Sequence, residues 1–142
     1  MSQLKVVRLA DTTTVKFGPD AVYQLLIGDD EGTTPVRVGI QTSEPGYEAS
    51  LHAHPYLEIL HVLEGRGEFW LEGEEGGKAI LGPGDTVALP PGVNHSFRVV
   101  GTETMRTLGI HASPRRLVSY RDGRAIDASG YPTVDAQPAG KP

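Results

Sequence analysis

The stretch His52-Ala53-His54-Pro55-Tyr56-Leu57-Glu58 puts three side chains able to hold a transition metal into one short segment. Its histidines stand at i and i+2, which sets both imidazoles on one face of a strand. Pro55-Tyr56-Leu57 is short enough for a bend to bring a neighbouring strand, carrying Glu58, beside the first. His95 comes from a distant segment, as expected if a barrel closes around the site. Neutral imidazoles suit iron, nickel, copper or zinc, and a carboxylate adds a hard anionic ligand also suited to manganese. An octahedral ion on this set keeps positions for water, oxygen or a bidentate substrate, whereas a tetrahedral one is closed and structural.

Outward from this stretch, the chain of 142 residues is long enough for one core and too short for two ordinary domains. With 38% apolar residues, 18 glycines and 11 prolines, it suits short strands joined by tight turns better than a helical bundle. Repeated Val, Ile and Leu segments conflict with a disordered chain. The absence of cysteine excludes a disulfide framework, a thiolate zinc site and a cysteine nucleophile. Met1-Ser2-Gln3-Leu4-Lys5 lacks the apolar core of a secretory signal, and no stretch approaches the ~18 apolar residues of a membrane span. A cytoplasmic protein with no membrane partner is the expectation. The formal charge of -5 gives no general attraction to nucleic acid. Arg115, Arg116, Arg121 and Arg124 form a local basic run without an aromatic platform, which reads as a solvated or subunit-facing surface.

Strands are expected over Val6 to Leu9, Tyr23 to Ile27, Val36 to Gln41, Glu48 to His54, Glu58 to Leu63 and Gly67 to Glu72. More follow over Ala79 to Leu81, Thr86 to Leu89, His95 to Val100 and Thr104 to His111. Gly18-Pro19-Asp20 and Asp29-Asp30-Glu31-Gly32 mark turns, and Glu74-Glu75-Gly76-Gly77 reads as an exposed hairpin end. No run has the length and 3.6-residue period of a helix. From Ala128 the composition changes, and Gln137 to Pro142 reads as a mobile end that Tyr131 and Val134 pin in part.

Gly46 to Glu58, continuing to Gly65, resembles the first motif of the cupin superfamily, and Gly84-Asp85-Thr86-Val87-Ala88-Leu89-Pro90-Pro91-Gly92-Val93-Asn94-His95 resembles the second. The resemblance implies an all-β fold, a double-stranded β-helix or jelly-roll barrel. It implies that His52, His54, Glu58 and His95 bind one divalent metal inside it. Iron is favoured, with manganese, nickel, zinc or copper as alternatives. Val99 stands where the second motif commonly ends in asparagine, which leaves the ligand set whole. The expected organisation is an arm over residues 1–19, the cupin barrel over 20–127 and an extension over 128–142. A homodimer is also implied, since an uncovered sheet edge invites pairing.

Around the metal, alternation groups Glu58, Leu60 and Val62 on one face and leaves His61 on the other, a poor fifth ligand. Phe97 then forms an apolar wall. His111 is a candidate acid or base, or a cap where the strand turns away. Tyr56 is a candidate gate or packing residue, and Arg37, Arg98 or Arg106 a candidate carboxylate clamp. Tyr23, Phe69 and Trp70 read as core or dimer-seam aromatics. The leading expectation is a metal-dependent enzyme on an oxygen-bearing small molecule, specifically an oxygenase of the dioxygenase kind. Isomerase, lyase or decarboxylase activity is the alternative, and a non-catalytic metal or small-molecule binding protein the second. No fused DNA-binding domain and no nucleotide-binding glycine loop are expected.

Overall fold

The computed structural model describes residues 3–29, 32–73, 77–128 and 130–131. A short 3-10 turn, Leu9–Asp11, precedes eleven strands. These are β1 (Thr14–Lys16), β2 (Ala21–Ile27), β3 (Arg37–Ser43), β4 (His52–Ala53), β5 (Glu58–Glu64) and β6 (Gly67–Leu71), then β7 (Lys78–Leu81), β8 (Thr86–Leu89), β9 (His95–Val99), β10 (Met105–His111) and β11 (Ser119–Tyr120). The all-β expectation holds. The closed barrel does not.

The strands form two separate antiparallel sheets, a six-stranded one ordered β1-β2-β3-β10-β5-β8 and a five-stranded one ordered β11-β4-β9-β6-β7. Among the described residues no strand pair joins one sheet to the other. The reason lies in the connections: β3 to β4, β4 to β5, β5 to β6, β7 to β8, β8 to β9 and β9 to β10 each pass from one sheet to its opposite. The strands joined by these connections therefore lie in opposite sheets and are not hydrogen-bonded to each other, so apolar burial between the inner faces is achieved without closure. The sheet edges are short strands: β1 has 3 residues, β8 and β7 have 4 each, and β11 has 2, too little to zip the seams. Gly65 shows how one crossing is made. Its φ of 74° is open to glycine, and a Cβ there would overlap the Thr104 carbonyl oxygen.

Period-two alternation carries the inner faces. Glu58, Leu60 and Val62 of β5 are buried, as are Met105, Thr107, Gly109 and His111 of β10, while Arg106 points outward to Glu64 at 3.2 Å. Val62 and Met105, each 0% exposed, sit at the centre of the core, where burying such a side chain stabilises by roughly 1.5–3 kcal/mol. Phe69 and Tyr23 belong to this core, whereas Trp70 is only half-buried. Val99 is buried there too, so the residue replacing the motif's asparagine serves packing. Phe17 and Tyr131 pack together at a ring-centroid distance of 5.8 Å.

Some strand expectations change. Val6 to Leu9 is no strand: Val6 is 56% exposed and the segment finds no pairing edge. Glu48 to His54 contracts to His52–Ala53, with one isolated bridge from Glu48 to Arg98. The strand Ser119–Tyr120 was hidden inside the arginine-rich segment. Glu74, Glu75 and Gly76 of the expected hairpin end, and Val134 with the rest of the tail, lie outside the described residues.

Candidate metal centre

Two rungs of cross-strand neighbours face one another. In the smaller sheet Tyr120 of β11 pairs with His52 of β4, and His52 pairs with His95 of β9. In the larger sheet Arg37 of β3 pairs with His111 of β10, and His111 pairs with Glu58 of β5. His54 follows β4 directly, before the Pro55 bend. Ligand-capable atoms of His52, His54, Glu58 and His95 lie within 4.8 Å of one another, and the last three residues are buried. The spacing read from the sequence thus becomes one cluster, and His61 lies outside it, 2.7 Å from the Thr86 hydroxyl.

Hydrogen bonds set the tautomers. Nδ1 of His52 donates to the Ser50 carbonyl at 2.7 Å, that of His54 to Leu117 at 2.6 Å, and that of His95 to Val93 at 3.3 Å. A carbonyl only accepts, so each Nδ1 carries a proton and Nε2 is the ring nitrogen turned toward the cluster. Burial lowers His54 against the opposing pull of Glu58. His52 is lowered well below the usual imidazole range by the protein packed around it, reinforced by His95 and His54. Burial also works to raise the Glu58 carboxyl, but the contacts with His111, His54 and His95 outweigh it and hold the group well below the usual carboxylate range.

The result is three lone pairs and a carboxylate in one enclosed place. Oε1 of Glu58 lies 3.2 Å from Nε2 of His54 and 3.1 Å from Nε2 of His95. Even so, Oε1 of Glu58 and Nε2 of His54 have no hydrogen-bond partner of acceptable geometry. Orphaned buried polar atoms are costly, at about 1–3 kcal/mol each. Ligands sharing a cation at right angles, about 2.1 Å from it, stand about 3 Å apart, the spacing seen here. The donor set fits a divalent metal.

His111 supports Glu58 from behind. Its Nε2 donates to Oε2 of Glu58 at 3.1 Å, and the Tyr56 hydroxyl lies 2.6 Å from its Nδ1. That hydroxyl also accepts the Leu117 N–H at 3.3 Å. Beside the cluster is a cavity of about 60 Å³, walled by Tyr47, Leu60, Phe97, Thr107, Tyr120 and Arg116 among others.

The arginines divide. Arg98 and Arg106 are tied outward to Glu68 and Glu64, away from the cluster. Arg37 is buried and donates to the Pro114 carbonyl at 3.1 Å. The surface reading of the basic run holds for Arg115 and Arg121 but fails for Arg124, whose side chain is 3% exposed and lies over the Tyr120 ring, and for Arg116, which is 8% exposed and lines the cavity. Nothing in the sequence distinguishes Arg116 from its neighbours. Strand β11 turns the chain so that this one points inward.

Residues 39–111 match the Cupin_2 family, a cupin domain, and so just over half of the chain. The chain belongs to the cupin family. Among curated cupin relatives, auxin-binding protein 1 of Arabidopsis thaliana is 28% identical over 129 residues, covering 84% of this chain and 65% of that protein. An uncharacterised HTH-type transcriptional regulator of Bacillus subtilis is 30% identical over 78 residues, covering 55% of this chain and 31% of that one. This cupin therefore spans less than two thirds of the length of either relative. Oxalate decarboxylase of Bacillus subtilis superposes with a TM-score of 0.71 at 18% identity, covering 82% of this chain and 32% of that one. The polyketide cyclase RemF of Streptomyces resistomycificus gives 0.68 at 20% identity and 91% of each chain. A DMSP lyase gives 0.56 at 26% identity, covering 64% of this chain and 46% of that chain.

Likeness to the decarboxylase and the cyclase shows the cupin fold alone. The cluster has a donor set able to hold a divalent metal, and that set leaves the identity of the metal open. The dioxygenase expectation is corrected here. The solved enzymes to which this chain is similar in fold include a decarboxylase, a lyase and a cyclase. Three imidazoles and a carboxylate serve a Lewis acid as well as a redox centre, so the ligand set never carried that choice. No helix among the described residues is long and apolar enough to cross a membrane.

Proposed function

We propose that this protein is a metal-dependent cupin enzyme of the lyase, decarboxylase or isomerase kind, acting on a small oxygen-bearing molecule. The observation that carries the reading is the enclosed convergence of three Nε2 lone pairs with an orphaned carboxylate oxygen, beside a cavity. His52, His54, Glu58 and His95 hold the metal, which when bound supplies Lewis-acid polarisation of a substrate oxygen. His111 occupies the second oxygen of Glu58 and so keeps the first turned toward the histidines. Tyr56 in turn holds His111, and the pair act by positioning. Tyr47, Leu60 and Phe97 give the cavity an apolar wall that limits water around the reacting group.

The test is elemental analysis of protein purified without added metal, beside His95→Ala, followed by an anaerobic turnover screen of small hydroxy and keto acids. About one divalent metal per chain, lost in the variant, with product formed without oxygen, is the expected result. A folded, metal-replete preparation without stoichiometric metal would sink the reading. A second reading, a non-catalytic small-molecule binding protein, draws on the similarity to auxin-binding protein 1 over 84% of this chain. It predicts a ligand recovered chemically unchanged after prolonged incubation with metal-loaded protein.

A further inference from the structure

Arg116 is a buried cation that the metal cluster does not use. It is 8% exposed, and its guanidinium lies 4.7 Å from the Tyr131 ring centroid and 5.5 Å from that of Phe17. One Nη donates to the Gly130 carbonyl, and the other reaches the Tyr120 hydroxyl at 3.4 Å. Among the described residues no carboxylate is within ion-pair distance of it. Buried charges are ordinarily paired, because desolvating one costs several kcal/mol unless an opposite charge offsets it. The aromatic faces and the two neutral acceptors hold the planar group in place without neutralising it.

The same cavity is lined by Arg116, Tyr120 and the clustered His52, His54, Glu58 and His95. Within it Glu58 is the sole carboxylate among the lining residues. A divalent ion plus the guanidinium, set against one carboxylate, leaves the enclosed site with an excess of two positive charges. Room is limited: about 60 Å³ at about 10–15 Å³ per water-sized group accommodates about four to six such groups.

We propose that Arg116 is a substrate-binding residue, and that the site takes a small carboxylate whose anionic group it grips while the rest of the molecule faces the metal cluster. This rests on the proposed reading of the cluster as a metal site and narrows its substrate to a class. A guanidinium offers a carboxylate two parallel N–H donors, so one orientation is selected. Tyr120, whose hydroxyl is 3.4 Å from Arg116 and whose ring centroid is 5.5 Å from that of His52, links the two along the cavity wall.

The experiment compares binding of acetate and its neutral isostere acetamide by thermal shift, in metal-free and metal-loaded protein, with chloride at matched ionic strength as control. Wild type is expected to bind acetate at least about tenfold more tightly than acetamide in both forms. Arg116→Gln should bring the two ligands to parity in the metal-free form, and Arg116→Lys should keep part of the preference as a point charge without the fork. Metal content in Arg116→Gln should match wild type, since this residue is no ligand. An undiminished acetate preference in folded Arg116→Gln, or none in wild type in either form, overturns the proposal. If Arg116→Gln does not fold, a preference in Arg116→Lys equal to that of wild type overturns it as well. Should wild type bind no metal yet prefer acetate through Arg116, the metal reading fails and the carboxylate site stands.

Discussion

Each histidine of the cluster is directed by a backbone carbonyl, and that is where its chemistry is set. Replacing His95 by alanine removes one lone pair of the set, and metal content should fall from about one per chain to a small fraction, read by elemental analysis. His111 is hydrogen-bonded to the cluster through Oε2 of Glu58 and packs against His54 at a ring-centroid distance of 4.7 Å. His111→Ala should therefore leave binding in place but weaken it about 10–100-fold, measured by competition with a chelating dye. Unchanged affinity would remove His111 from any part in the site. Tyr56→Phe deletes the hydroxyl shared by His111 and the Leu117 N–H, leaving two polar groups short of a partner. A stability loss of about 1–3 kcal/mol by denaturant titration is expected. His52, His54 and Glu58 were legible because their spacing matches a strand, a bend and a returning strand, while His95 was reached through the resemblance of Gly84 to His95 to the second cupin motif. Arg116 was not legible, since burial is a property of where β11 docks.

Among the strands, β3 and β10 carry the cavity floor through small residues. Gly39 has ordinary strand dihedrals, and a Cβ there would run into the phenol of Tyr23. Gly84 has a φ of 92° and nothing near its missing Cβ. Gly39→Ala should cost about 1–3 kcal/mol by displacing Tyr23 from the core and should distort the cavity. Gly84→Ala should cost about 1–2 kcal/mol through backbone strain alone and leave ligand binding untouched. Denaturation and acetate titration of the two variants separate these effects; equal loss of binding in both would contradict the assignment. The long inner strands were readable from alternation, as in Glu58, Leu60 and Val62. Val6 to Leu9 misled because apolar content makes a strand only where an edge is free to pair with it.

At the scale of the fold, the two sheets meet without a hydrogen-bonded strand pair among the described residues, and the candidate ligands bridge them. His52 and His95 stand in the smaller sheet and Glu58 in the larger. A bound metal is then a staple between sheets, and chelation should lower Tm, with saturation at about 100 times Kd worth about 2.7 kcal/mol. An unchanged Tm on chelating a metal-loaded sample would contradict that. Alkaline pH tests the core separately. Burial raises the phenols of Tyr23 and Tyr47 far above 10.0, and that of Tyr56 to about 12. The folded chain then keeps protons that the unfolded chain releases above about pH 10. Stability is complete below that pH and is lost as pH rises through the folded values. Tm should decline from about pH 10 upward, with phenolate absorbance of these tyrosines appearing together with unfolding. Early phenolate signal from a still-folded protein would show these rings to be open to solvent.

The sequence by itself determined the all-β class, the inward parity of the ligand strands and the cluster of His52, His54, Glu58 and His95. The parity follows from local spacing, because a strand's side chains alternate whatever the strand later packs against, whereas His95 joined the other three through the resemblance of the two motifs to those of cupins. Only the tertiary structure decided that the sheets stay open, that Arg116 is buried and that His111 is tied to Glu58. Each depends on which sheet a connection delivers the next strand to, and that is settled by how two inner faces bury their apolar surface together, a long-range outcome that local pattern does not encode.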